Sequence, residues 1–232
     1  MLRNQQKETS ETLIVYQVSI CIFACSKNQI LKDQIVAKAA EMFLALGVKS
    51  VTMDEIATAI GISKKTIYAN FSTKSKLIEE TAIYVFEQIS KGIQSIRNDR
   101  KDPIEELFEI KDFACQHLKN KKSSPQYQLQ KYYPTIYTTI REKQKHILEE
   151  LTKENLEKGI RQGVYRNEIP VAFITRIYFM GIVGIKDQDL FDEGEFHLNE
   201  LTQMHLEYHL RAIVTGKGLK KLKTYLTASS TT

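Results

Sequence analysis

The chain has 232 residues, 42% hydrophobic and 26% charged, with a formal net charge of +5. That length holds one or two domains with a sizeable core, and the composition excludes a disordered polyelectrolyte. Ten glycines and four prolines are too few for a turn-rich all-β sandwich. The three cysteines, Cys21, Cys25 and Cys115, exclude a disulfide scaffold and point to a reducing cytoplasm.

The first segment is unusual. Residues 13–25 are nearly all apolar, broken only by Gln17 and Ser19. The run is too short to span a bilayer as a helix. Arg3 and Lys7 precede it as in a signal peptide, but Glu8 and Glu11 spoil the basic region and Ala24-Cys25-Ser26 is a poor cleavage site. Two readings stay open for residues 1–27: an extra element packed on the body, or a start codon assigned too far upstream.

From Asn28 onward the pattern is helical. Leu31, Ile35, Ala39, Met42, Phe43 and Leu46 follow one face of a 3.6-residue period, and Gly47 suits a left-handed stop. Thr52, with Glu55 three residues on, forms a capping-box signature, and Asp54 and Glu55 complement the helix dipole. This second helix ends at Gly61. Ser63 caps a third running from Lys64 to Phe71, and Ser72 or Thr73 caps a fourth that fades near Asn98. Pro103 opens a fifth helix. Pro125 opens another, with Pro134 expected to kink or break it. Residues 173–185 read as a largely buried helix, and 198–215 as a final long one followed by a basic run, Lys217, Lys220, Lys221 and Lys223. The expected class is all-α with about nine helices.

Two short helices joined by Gly61-Ile62-Ser63 make a helix-turn-helix. Ile56, Ala57 and Ile60 can pack on Ile67 and Phe71, under Ile35, Ala39 and Phe43. The opposite face of the third helix then shows Lys64, Lys65, Thr66, Tyr68 and Ala69, with donors, a ring and no acid. That chemistry suits the major groove of duplex DNA. Lys74 opens the fourth helix, where a cation opposes the dipole unless an external anion is bound.

Residues 32–79 resemble the DNA-binding domain of the tetracycline-repressor (TetR) family. The matching run is Ile35-x3-Ala39-x3-Phe43-x3-Gly47, Val51-Thr52-x2-Glu55-Ile56-Ala57-x3-Gly61-Ile62-Ser63-x3-Ile67-Tyr68-x2-Phe71-x2-Lys74-x2-Leu77. The resemblance implies an N-terminal three-helix DNA-binding domain and a larger helical domain for dimerisation and ligand binding. On that basis residues 1–27 are an extension, 28–75 the helix-turn-helix domain, 76–226 the effector-binding and dimerisation domain, and 227–232 a disordered tail. By position, Thr52, Ser63, Thr66, Tyr68, Asn70 and Lys74 match residues that touch DNA, and Lys64 and Lys65 fall where bases are read. Ala69 departs from the larger polar residues common at its position.

The implied function is a cytoplasmic, homodimeric regulator, a repressor, that binds a palindromic operator and is released by a small-molecule effector. Phe108, His117, Tyr133, Tyr137, Phe173 and Tyr178 are candidate effector-pocket residues. No cofactor, metal or membrane partner is expected. His205 and His209 are four residues apart, but His-Leu-Glu-Tyr-His is not HExxH, so they read as surface or interface histidines. An enzyme lacks support: no nucleophile elbow, P-loop or glycine-rich dinucleotide turn occurs. The alternative is a helical protein-interaction module without sequence-specific DNA binding.

Overall fold

The computed structural model describes residues 28–99, 101–118, 125–187, 189–192 and 194–229. The apolar stretch at 13–25 and the basic loop at 119–124 lie outside them, as does the end of the tail at 230–232. Ten helices occur among the described residues, and no strand: α1 (28–46), α2 (Met53–Ile60), α3 (Lys64–Asn70), α4 (Lys74–Asn98), α5 (Pro103–Leu118), α6 (Pro125–Tyr132), α7 (Pro134–Arg161), α8 (Val171–Gly184), α9 (Leu198–Ile213) and α10 (Gly216–Ser229). None is long and apolar enough to cross a membrane.

The count exceeds the expected nine because the basic run after residue 215 is a helix of its own. Val214 is extended and forms an isolated antiparallel bridge to Tyr165, which ends α9. The Thr215 hydroxyl then accepts from the Gly218 N–H at 3.1 Å and starts α10. This helix continues through Ser229, beyond the expected start of the tail at residue 227.

The fold divides into two compact units. Among the described residues, the first holds those up to Tyr84 together with 125–133, and the second holds the rest. The division therefore falls inside α4 rather than at residue 75, and α6 belongs with the first unit. The reason is local: the Gln128 side chain of α6 accepts from the Lys49 N–H at 3.0 Å, and the Lys49 ammonium lies 5.0 Å from the centre of the Tyr132 ring.

In the first unit Ile35, Ala39 and Phe43 of α1 meet Ile56 and Ala57 of α2, Ile67 of α3, Phe71 and Leu77, all buried. The second unit is a helical body in which α7 runs along α8 and α5 packs on α7, α9 and α10. Phe108 stacks on Tyr225 with ring centres 4.4 Å apart. Beside them runs a satisfied polar network. Buried Glu106 accepts from Asn155 Nδ2 at 2.9 Å and from Lys158 Nζ at 2.6 Å, while Tyr165 donates to Asn155 Oδ1 at 3.0 Å. With all these partners present, the buried carboxylate is tolerated and links α5 to α7.

Two expectations are corrected in this unit. First, α8 is not largely buried: Phe173, Ile177 and Met180, at helical spacing, stand exposed on one face while Thr175 and Tyr178 are buried. An apolar composition on both faces conceals which side the fold covers. Second, of the two α9 histidines read as surface or interface groups, His209 is buried in the second unit. His209 is 6% exposed and packs on Tyr178 with ring centres 4.3 Å apart. His205 stacks on the same tyrosine and fills the space above Gly181.

His209 Nε2 is buried with no hydrogen-bond partner among the described residues. Burial, reinforced by the neighbouring His205, pushes its pKa down to about 4. The unfolded imidazole titrates near 6.5, so folding favours its neutral form. The stabilisation is complete above that value and is lost as pH falls from about 6.5 towards 4, over a span on the order of 3 kcal/mol. Denaturation midpoints measured across pH 4–8 should show this decline, and His209→Phe should flatten it.

Candidate nucleic-acid interface

The site is built on α2 and α3, whose ends are closed by side chains. The Thr52 hydroxyl accepts from the Glu55 N–H at 3.2 Å, and the Glu55 carboxylate accepts from the Thr52 N–H at 2.7 Å. This is the anticipated capping box, and the Thr52 N–H and hydroxyl hold the Glu55 carboxyl below the usual carboxylate range. Gly61 ends α2 at φ +77°, a left-handed angle at which a β-carbon is strained. Ser63 then caps α3 by accepting from the Thr66 N–H at 3.1 Å, and its hydroxyl also bonds the Thr66 hydroxyl at 2.8 Å. Thr73, rather than Ser72, caps α4 through the Lys76 N–H. With Ile67 buried beneath α3, the rotation of that helix is set.

The outward face of α3 can now be sorted. Ser63 and Thr66 are tied to each other. Asn70 is turned back on its own helix, donating to the Thr66 carbonyl at 2.9 Å. Lys64 pairs with Asp54 at 2.8 Å, which raises the ammonium pKa, and lies 6.0 Å from the centre of the Tyr68 ring. Lys65 is exposed and has no ion-pair partner among the described residues; Tyr68 is 42% exposed and its hydroxyl has no hydrogen-bond partner among them. Lys74 is half-buried, set against Phe43 and the Lys49 carbonyl, and burial lowers its pKa. All eight anticipated DNA-contacting residues thus lie in one unit.

The candidate effector residues are not gathered in this way. Phe108 is in the core against Tyr225, Phe173 is exposed, and Tyr178 is buried against the histidines. Tyr133 falls in the first unit and Tyr137 in the second, both half-buried. The His117 side chain lies outside the described residues. A cavity of about 400 Å³ in the second unit is instead lined by Gln94, Arg97, Asn98, Glu106, Glu154, Lys158 and Gln162. It is polar and charged, with no aromatic lining.

Sequence reasoning missed two features of the first unit. Asp54 appeared there only as a dipole partner, because nothing in the spacing announces its pairing with a lysine ten residues on. Lys49 was not singled out, since its partners Gln128 and Tyr132 lie about 80 residues away.

The model of the "Bacterial regulatory proteins, tetR family" matches residues 35–81. The chain is 22% identical over 203 residues to the HTH-type transcriptional repressor KstR2 of Mycolicibacterium smegmatis, covering 82% of this chain and 93% of that repressor. It is 26% identical over 80 residues to IcaR of Staphylococcus aureus, a negative regulator of the biofilm operon icaADBC, covering 34% of this chain and 43% of IcaR. A transcriptional regulator from Cytophaga hutchinsonii shares the fold at a TM-score of 0.67 and 17% identity, over 79% of this chain and 98% of that one.

The capped α2–α3 pair is a helix-turn-helix. The stretch that matches the tetR-family model, residues 35–81, contains this capped pair. The cap at Thr52 is the local hold on the start of α2. Thr52→Ala should cost about 1 kcal/mol of stability, measured as a shift of the denaturation midpoint at unchanged slope.

Proposed function

We propose that this protein is a ligand-responsive repressor that binds a palindromic operator as a homodimer through residues 63–70. The observation that carries this reading is the state of Lys65 and Tyr68. Among the described residues the Lys65 ammonium has no ion-pair partner and the Tyr68 hydroxyl no hydrogen-bond partner, and both stand outward on a helix whose rotation is set by buried Ile67 and whose neighbouring turns are closed by caps. A rigid helix presenting a free ammonium and a free phenol is suited to phosphate and base-edge acceptors. Thr52, Ser63, Thr66, Asn70 and Lys74 supply the surrounding positions; those already hydrogen-bonded internally exchange or extend those bonds on DNA.

A single short helix spans few base pairs, so affinity and specificity call for two. Phe173, Ile177 and Met180 of α8 and Met204 and Tyr208 of α9 are exposed on two helices that pack together. Clustered exposed apolar side chains mark an association surface, and a second copy of the chain is the proposed occupant. Pairing sets two recognition helices one DNA turn apart, roughly 34–36 Å. An effector bound in the second unit that alters this spacing weakens phosphate contacts on both half-sites at once. The polar cavity beside Arg97 and Lys158 is the proposed seat for such a molecule.

Binding to the DNA upstream of the protein's own gene tests the reading. Tight, salt-sensitive and sequence-selective binding is expected; equal weak binding to every duplex would overturn it in favour of a protein-interaction module. Lys65→Ala should weaken operator binding at least tenfold, and Lys74→Ala should lower the slope of log K against log salt by about two for a dimer. In light scattering, the Met180→Lys, Tyr208→Lys double variant should run at half the wild-type mass with unchanged helicity, and it should lose operator affinity.

A further inference from the structure

The DNA-facing surface carries one feature that a simple phosphate-binding face does not need: an exposed carboxylate. Asp54 lies in the first turn of α2, 54% exposed, with its Oδ2 2.8 Å from the Nζ of Lys64, the first residue of α3. The adjacent Glu55 is different, since its carboxylate is turned back onto the Thr52 N–H and hydroxyl. Asp54 is directed across the turn instead, at the end of the recognition helix whose residues reach base edges in helix-turn-helix proteins.

Folding does not account for the pair. An exposed ion pair contributes little to stability, and the capping box already closes this end of α2. On DNA the carboxylate repels phosphates and occupies a lysine that would otherwise neutralise one. A reason to keep it is therefore sought in what the pair recognises.

We propose that Asp54 is a specificity-determining residue: together with Lys64 it forms one donor–acceptor unit that reads a G·C pair in each operator half-site and suppresses binding to unrelated DNA. The inference rests on α3 being the recognition helix. The spacing supports it. Guanine O6 and cytosine N4 are hydrogen-bonded to each other and so stand about 2.9 Å apart, close to the 2.8 Å between Lys64 Nζ and Asp54 Oδ2. The ammonium meets guanine O6 and N7, both acceptors, while the carboxylate accepts from the cytosine amino group. An A·T pair fits less well: adenine N6 can donate to the carboxylate, but the ammonium then has one acceptor, thymine O4, in place of two, and the thymine methyl group crowds it. With the G·C pair reversed the carboxylate faces guanine O6 and N7 and finds no donor there, and its repulsion remains.

The test compares wild type with Asp54→Asn, which keeps shape and removes charge. Both are measured on the operator and on a scrambled duplex across 50–250 mM salt, and in selection from duplexes randomised at the half-sites. The variant is expected to bind scrambled DNA about tenfold more tightly at low salt, with a slope steeper by about two as one Lys64 per protomer is freed. It should also lose the G·C preference at one symmetric position. Wild-type selectivity that Asp54→Asn leaves unchanged, in both base preference and operator-to-scrambled ratio, overturns the role of Asp54 alone. Wild-type indifference to sequence overturns the operator reading and the inference with it.

Discussion

The proposed recognition surface depends on how tightly α2 is held to α3. Ile56 and Ala57 on one helix and Ile67 on the other are buried together, and Ala57 is small enough to let the backbones approach. The turn between them is closed by the left-handed Gly61, with Thr52 and Ser63 satisfying the first N–H groups of each helix. Seven residues of α3 would not hold a helix in isolation. Buried against α1 and α2 it has one orientation, and every outward side chain inherits a fixed direction from that burial.

The same unit includes α6, which comes from far along the chain. Gln128 bonds the Lys49 N–H and Tyr132 holds the Lys49 ammonium, in the turn just before the Thr52 cap. The first turn of the α2–α3 pair is thus supported by a segment about 80 residues distant. Among the described residues, the chain passes between this unit and the helical body within α4 and again between Tyr133 and Pro134.

Much of this was legible in the sequence, because its causes are local. Capping residues, the glycines that end helices and the 3.6-residue apolar period locate α1 to α4 within a residue or two, and Pro134 marks the break between α6 and α7. The proposed DNA-contacting residues rest on those boundaries. What stayed hidden depends on distance in sequence. The Asp54–Lys64 pair, the place of α6 in the first unit and the burial of His209 are tertiary facts with no periodic signature. The exposed face of α8 was misread for a related reason: apolar residues surround that helix, and composition does not reveal which side meets its own fold. The aromatic residues of the second unit also carried no information about whether they share a cavity, and the cavity beside Arg97 and Lys158 has none of them in its lining.

Two glycines in the first unit have nearly the same backbone angle, φ +85° at Gly47 and +77° at Gly61, yet they are not equivalent. Around Gly61 a β-carbon would meet nothing within 4 Å, so the angle is its sole constraint. At Gly47 the Gln128 amide occupies the space, 2.5 Å from where a β-carbon would sit. Asparagine, which tolerates left-handed geometry, is therefore compatible with position 61. At position 47 the same replacement would preserve the chain path but evict the Gln128 amide, so that α1 still ends correctly while α6 loses its seat. Mutational tolerance at two superficially interchangeable positions is thereby split, one answering to backbone geometry alone and the other also to a neighbour from the far side of the sequence.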